Sequence, residues 1–240
     1  MDWFFADNIS DTYLITGEDA VHITKSLRMS VGEVITLCDK QKTEHLCKIE
    51  RISAEGVLVR VISEQECQNE PTVNVTLFAA LTKGDKLEHV IQKAVELGIY
   101  EIRPVLTDRC VSRPDSKSAV KKCQRYQKIA SQAAMQSRRA VIPQVYPVTE
   151  LKHLSALLSD YDKIILFYEG GGEPLHHLVA PADKKIAILT GPEGGFEERE
   201  VELLTKFGAR TATLGKRILR AETAPLAALT AIMFHTGNLE

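Results

Sequence analysis

Over the first seventy residues, apolar and polar positions alternate in short runs. "EVITLCD" (33–39) and "TEHLCKIERI" (43–52) flank Lys40-Gln41-Lys42 and predict a β-hairpin. "GVLVRVIS" (56–63) adds a strand, and "EDAVHITKSL" (18–27) reads as one short helix before them. Small β-barrels with a single helix have this pattern. The polar segment "EQECQNEPT" (64–72) ends at a proline-containing turn and places a domain boundary near residues 65–72.

Beyond the boundary the period changes. "VNVTLFAAL" (73–81), "EIRPVL" (101–106), "KIILFY" (163–168), "KIAILT" (185–190) and "RTATLG" (210–215) read as strands. Helices fall between them. In "DKLEHVIQKAVELG" (85–98), Leu87, Val90, Ile91, Ala94 and Val95 share one face, Asp85 and Glu88 form a potential capping box, and Gly98 ends the helix. A basic helix is predicted from about Ser116 to Arg138. The last helix, "APLAALTAIMFHTG" (224–237), is apolar on nearly every side, with Thr223 as potential cap and Pro225 in its first turn. Such a helix must be buried in the core or against a partner. Strands alternating with helices predict a mainly parallel sheet with helices on both faces.

The chain has 240 residues, is 44% hydrophobic and 26% charged, and carries a net charge of −2. This is a globular composition, and any nucleic-acid site must be a local patch. The five cysteines are scattered without a C-x-x-C pair, which argues against a disulfide framework or zinc site and for reduced thiols in a cytosolic protein. The N-terminal residues lack the features of a signal peptide, and no apolar run is long enough for a bilayer. His22 and His89 belong to no ligand set, so no metal is expected. Trp3 reads as a barrel or interface anchor.

Chemistry concentrates in two loops. In an open α/β sheet, ligands bind beyond the carboxyl ends of the strands. "TGPEGGF" (190–196) follows one predicted strand and "GKRILRAET" (215–223) another. The first has no G-x-G-x-x-G or GK[ST] spacing, and Glu193, Glu197 and Glu198 oppose a phosphate there. Gly191, Gly194 and Gly195 let backbone approach a flat ligand. A nucleoside with a positive centre, such as S-adenosylmethionine, fits this chemistry. Alone, the turn is equally well a plain strand-to-helix connection. A non-catalytic RNA-binding protein and a nucleotide-dependent oxidoreductase are the rival classes, the latter disfavoured by the missing fingerprint.

"LTGPEGGFEEREVELL" followed by "LGKRILRAETAPLAAL" resembles the two C-terminal motifs of the SPOUT methyltransferases, and within them the RsmE family. "DAVHITKSLRMSVGE", "LTKGDKLEHVIQKAVELGIYEIRPVLTDRCV" and "QAAMQSRRAVIPQV" resemble further stretches of that family, so the likeness spans almost the whole chain. Met135 and Arg138 stand where an acidic residue and often a glycine are expected, and Ala221 where threonine is common.

The resemblance implies an α/β protein with a PUA-like, RNA-binding β-barrel over residues 1–70 and a SPOUT methyltransferase domain over 73–240, its mainly parallel sheet carrying a trefoil knot. It also implies a cytoplasmic homodimer with the last helix at the interface. The implied activity is S-adenosylmethionine-dependent methylation of N3 of a uridine in 16S rRNA, free or in the small ribosomal subunit, without metal or membrane. The implied cofactor site comprises Leu166, Tyr168, Glu169, Leu189, Thr190, Gly191, Pro192, Gly194, Gly195, Leu214, Gly215, Arg217, Ile218, Leu219, Thr223 and Ala224. N3 is a poor nucleophile until its proton leaves. Arg220 is the candidate for stabilising the ring anion and Glu222 the candidate base, against an alternative in which Glu222 merely pairs with Arg217 or Arg220. Lys25, Arg28, Arg109, Arg138 and Arg139 are the candidate RNA contacts, with Arg113, Lys117, Lys121, Lys122, Arg125 and Lys128 extending a basic band.

Overall fold

The computed structural model describes residues 2–39 and 41–239. Lys40, in the predicted hairpin turn, lies outside the described residues, as do Met1 and Glu240 at the outer limits of the predicted domains. The chain divides into two compact units. One is the chain up to Glu70 together with Ala134–Ile142, and the other is Pro71–Ala133 with the chain from Pro143 onward.

The first unit holds β1 (Trp3–Phe5), β2 (Thr12–Ile15), β3 (Val34–Cys38), β4 (Thr43–Ser53) and β5 (Gly56–Glu66). They form a five-stranded sheet in the order β1-β3-β4-β5-β2, with β1 parallel to β3 and the other pairs antiparallel. The predicted hairpin joins β3 and β4, and Asp39 Oδ1 accepts the backbone N–H of Gln41 and Thr43 at 2.8 and 2.9 Å. That is the aspartate turn chemistry expected of such a corner. Alternate residues Cys47, Ile49, Val57 and Val59 turn inward onto Phe4, Ile23, Ile35 and Leu37. Register shifts at Leu46/Cys47 and Ile49/Arg51 interrupt the β4–β5 ladder, irregularities that increase local twist. The predicted helix is α1 (Gly17–Val21) continued by a π-helical turn (His22–Ser26).

Ala134–Ile142 packs with this unit, although in the sequence it lies within the stretch read as the C-terminal domain. The cause is specific. Glu70 accepts the Arg139 guanidinium at 2.6 Å and the backbone N–H groups of Ala140 and Val141 at 2.9 and 3.2 Å. Asn69 donates to the Arg138 carbonyl at 2.9 Å. Ala140 joins Trp3, Cys38 and Cys67 in a small apolar cluster, flanked by Phe5, Met135 and Val141.

The second unit runs β6 (Asn74–Ala80), α2 (Lys86–Glu96), β7 (Glu101–Leu106), α3 (Ser116–Gln136), β8 (Gln144–Val145), β9 (Thr149–Glu150), α4 (Ser155–Leu158), β10 (Lys163–Phe167), β11 (Glu173–Pro174), α5 (Leu175–Leu178), β12 (Lys185–Thr190), α6 (Glu198–Lys206), β13 (Arg210–Thr213) and α7 (Ala224–His235). Its sheet has the order β11-β13-β10-β12-β6-β7-β8, with β9 also on β7. Every pairing found among the described residues is parallel. β6, β10 and β12 are buried along most of their length, as strands covered on both faces must be. All strands therefore exit toward one edge, and the loops after β6, β10, β12 and β13 leave from adjacent positions along it.

Two predicted helix caps do not form. Asp85 precedes α2 but makes no side-chain cap, because its φ of −97° and ψ of 9° are not the extended backbone that a capping side chain needs. Glu88 bonds Arg125 instead, at 2.6 Å. Thr223 has helical φ and ψ and likewise makes no cap; the carbonyl of Arg220 takes the N–H of both Thr223 and Ala224. The real capping box is Glu197–Glu200 at α6. The predicted α2 face, Leu87, Val90, Ile91, Ala94 and Val95, is buried. α7 buries Pro225, Ala228, Leu229, Ile232 and Met233 but leaves Phe234 72% exposed, so the helix is apolar all round yet covered on one side only.

At the amino ends of β6 and β7, the Tyr161 hydroxyl donates toward Thr76 Oγ1 and Glu101 Oε1 at 3.0 and 3.1 Å. Burial above all, with Glu101 adding and Thr76 opposing, pushes the phenol up to about 12. A neutral phenol in the fold contributes stability that is whole below the ordinary value of 10.0 and is lost as pH rises to about 12. The melting temperature of Tyr161→Phe should accordingly fall less steeply than that of the wild type between those limits. Parallel curves would place the ionisation elsewhere.

Candidate functional site

Three loops meet the carboxyl edge of the sheet beside one another. After β12, Gly195 N–H closes a turn on the Pro192 carbonyl at 2.9 Å, with Gly195 at φ +68°. Buried Phe196 anchors the turn in the core. A side chain at Gly191 would press on the Phe196 ring at 3.2 Å, and one at Gly194 on Arg109 Cβ at 3.3 Å. Bare backbone is thus what the turn presents.

Of the glutamates that crowd this turn in the sequence, Glu193, Glu197 and Glu200 are engaged and Glu198 is exposed. Glu193 Oε1 accepts Lys86 Nζ and the Lys83 backbone N–H, both at 3.1 Å. Burial pushes the Glu193 carboxyl up, but its own backbone N–H, Lys86 and Lys83 outweigh that and hold it below the ordinary glutamate value. Arg109 donates to Glu197 at 2.8 Å and to the Gly194 carbonyl at 2.7 Å. The Arg109 hydrogen bond, against a smaller burial effect, lowers the Glu197 carboxyl. Glu200 is buried, caps α6 and accepts the Asp108 N–H at 2.8 Å. Lys86 and Arg109 thus offset the charge of Glu193 and Glu197. Repulsion is thereby reduced at Glu193 and Glu197, and the missing phosphate fingerprint weighs further against a nucleotide diphosphate.

After β13, the loop from Leu214 to Glu222 is open. Gly215 has φ +97°, and Lys216, Arg217 and Arg220 are exposed. Ile218 is 87% exposed, an apolar side chain standing between two basic stretches. Glu222 pairs with Lys86 at 3.5 Å, and among the described residues neither Arg217 nor Arg220 makes an ion pair with it. The loop after β10 adds half-buried Tyr168 and exposed Glu169, whose carboxylate lies against Gly195. Leu214, Leu219 and Ala224 are half-buried and Thr223 exposed. Leu166 and Leu189 differ from expectation: both side chains are in the apolar core, so only their backbone remains for a ligand. Thr190 and Pro192 are also buried.

Among the candidate RNA contacts, Lys25, Arg28 and Arg138 are exposed, and Arg28 and Arg138 have φ of +55° and +58°. Arg139 is 4% exposed and bound to Glu70, so it holds its own segment in place and offers no surface charge; that assignment is corrected. Arg109 is a clamp on the glycine turn. Arg113 donates to the carbonyls of Thr107 and Asp108, and Arg125 to Glu88, so the basic band of the sequence is partly spent on internal bonds. Trp3 is buried in its cluster, as an anchor should be.

Sequence reasoning missed Lys86 and Thr82. Lys86 sits in the quoted "LTKGDKLEHV" stretch, but its partners are 107 and 136 positions away along the chain, the separations Glu193 − Lys86 and Glu222 − Lys86. Thr82 Oγ1 and Glu222 Oε2 are buried atoms without a hydrogen-bond partner, two of three such side-chain atoms among the described residues. No local pattern announces either. Among the described residues, no cluster of three His, Cys, Asp or Glu side chains is placed to hold a metal, and no helix is long and apolar enough to cross a membrane.

Residues 68–233 match the family of RNA methyltransferase domains, and residues 15–62 the RNA methyltransferase PUA domain. Ribosomal RNA small subunit methyltransferase E of Bacillus subtilis is 39% identical over 235 residues, covering 95% of this chain and 92% of that protein. Its counterpart in Mesomycoplasma hyopneumoniae is 30% identical, with 95% and 96% covered. A solved structure, ribosomal RNA small subunit methyltransferase E from Neisseria gonorrhoeae bound to S-adenosyl methionine, is 30% identical, with a TM-score of 0.84 and 98% and 97% of the two chains covered.

Proposed function

This chain belongs to the ribosomal RNA small subunit methyltransferase E family, and we propose that it uses S-adenosylmethionine to methylate N3 of a uridine in the 16S rRNA of the small ribosomal subunit. The observation that carries the reading is the meeting of two glycine-bearing loops, 190–196 and 214–222, at one edge of a parallel sheet. The residues suit the methyl donor. Bare backbone at Gly191, Gly194 and Gly195 accepts a flat base, exposed Ile218 supplies an apolar lid, and Glu169 and Glu222 supply negative charge for a cation. Bound there, the donor supplies an electrophilic methyl carbon on a sulfonium.

The rest of the site is built from Tyr168, Gly215, Arg217, Leu219 and Thr223, with the backbone of Leu166, Leu189 and Thr190. Arg220 stabilises the anionic ring, and Glu222 takes the N3 proton. Lys25, Arg28 and Arg138 contact RNA, residues up to 70 acting as the RNA-binding barrel and those from 73 as the SPOUT domain. In this reading the segment after β13 threads a trefoil knot. The half-open apolar face of α7, with Phe234 outward, packs against a second copy. The protein works in the cytoplasm.

Reverse transcription of rRNA from cells with and without the protein tests the function. N3 methylation removes a Watson–Crick donor, so a protein-dependent stop in 16S rRNA is expected. Identical read-through in both samples would overturn the assignment, and a ribose methylation without a stop would favour 2′-O transfer.

A further inference from the structure

Among the described residues, Lys86 ties the two cofactor loops of the reading above together, and the present inference rests on that reading. Its ammonium lies 3.1 Å from Glu193 in the first loop and 3.5 Å from Glu222 in the second. The same Glu193 oxygen accepts the Lys83 backbone N–H at 3.1 Å, which fixes the loop after β6 to the other two. Glu222 Oε2 lies 3.5 Å from the Lys86 ammonium, makes no hydrogen bond and is closed to solvent. The Glu222 side chain nevertheless stays 31% exposed, so its open part lies away from that oxygen. A carboxylate held at one oxygen by a cation, with the rest of its side chain open, is the arrangement of a positioned acceptor. Catalytic hydrogen bonds are often long before substrate binds and tighten afterwards.

We propose that Lys86 is a positioning residue that holds Glu222 with one oxygen directed at the pyrimidine N3–H, so that this carboxylate both selects uracil and receives its proton. The proton passes from N3 to Glu222, the N–H electron pair stays on nitrogen as the nucleophile, and the protonated carboxyl later returns the proton to water. Selection follows from the same contact. Uracil offers a donor at N3, whereas cytosine offers a lone pair, which a carboxylate repels. The Glu193 hydrogen bond, opposed by burial, raises the Lys86 ammonium above the ordinary lysine value, so the grip holds at neutral pH. Arg217 and Arg220, although closer in the chain, leave this duty to Lys86.

The test uses the full chain on small ribosomal subunits from cells lacking it. Lys86→Met should lower kcat roughly ten- to a hundredfold, the scale of a misplaced catalytic group. KM for the subunit, the calorimetric affinity for S-adenosylmethionine and the melting temperature should be nearly unchanged. Lys86→Arg should restore most of the rate. In a Glu222→Gln background, Lys86→Met should cost nothing further, because the group it positions no longer accepts a proton. An undiminished Lys86 effect in that background overturns the inference. So does a loss carried by donor affinity or melting temperature, which would make Lys86 a structural pin alone. A wild-type protein that binds donor but leaves N3 unmethylated ends the underlying reading, and this inference with it.

Discussion

Replacing Glu70 with alanine should destabilise the N-terminal unit by about 3–5 kcal/mol, the range for breaking a buried ion pair from one side. The pair qualifies as buried: the Arg139 and Glu70 side chains are 5% and 13% exposed. Glu70 also accepts the N–H groups of Ala140 and Val141, so truncation strips an acceptor from two backbone donors as well as the carboxylate from a guanidinium. Buried donors that lose their partner carry the full desolvation cost. The measurement is convenient because Trp3 is the only tryptophan, and it packs in the cluster that contains Ala140. Urea unfolding followed by its fluorescence reports on this unit. Glu70→Gln keeps an acceptor for the backbone groups and should lose less. A Glu70→Ala loss under about 1 kcal/mol, the worth of a surface pair, would show that the segment is held by apolar packing alone.

The second large effect belongs to Gly195. Its φ of +68° lies in the left-handed region, and an added Cβ would come 1.9 Å from Glu169 Oε1. The Glu169 carboxylate is the end of a flexible, exposed side chain and can swing away, so the clash is cheap. The backbone cost is not: a non-glycine residue held there loses about 1–3 kcal/mol. If the loop relaxes to avoid that strain, the turn closed on the Pro192 carbonyl opens. Gly195→Ala should therefore weaken S-adenosylmethionine binding about ten- to a hundredfold, each tenfold being about 1.4 kcal/mol. Calorimetry measures this directly. Unchanged affinity in a folded variant would remove the turn from the cofactor site.

What the sequence disclosed follows from where the determining contacts lie. β6, β10 and β12 were legible because strands buried on both faces are unbroken apolar runs, and the five inward positions of α2 because one helical period links them. β1, β2, β8, β9 and β11 were not, since each has two to four residues and exists through distant pairing. The caps at Asp85 and Thr223 were misread because their composition suits a cap while their backbone angles do not. Arg139 looked like a phosphate contact because charge can be counted in a sequence but burial cannot. The two glycine loops were visible by motif. Their bracing by Lys86 and Arg109 was not, because those partners meet only when parallel strands bring them to one edge.

The nine-residue excursion from Ala134 to Ile142 also bears on how such proteins can be recombined. A chimera joined once, after residue 70, would inherit the front module from one parent and its clasp from another. Compatible exchange between relatives needs two further crossovers, around 134 and 142, and natural grafts of this module should travel with both pieces or neither.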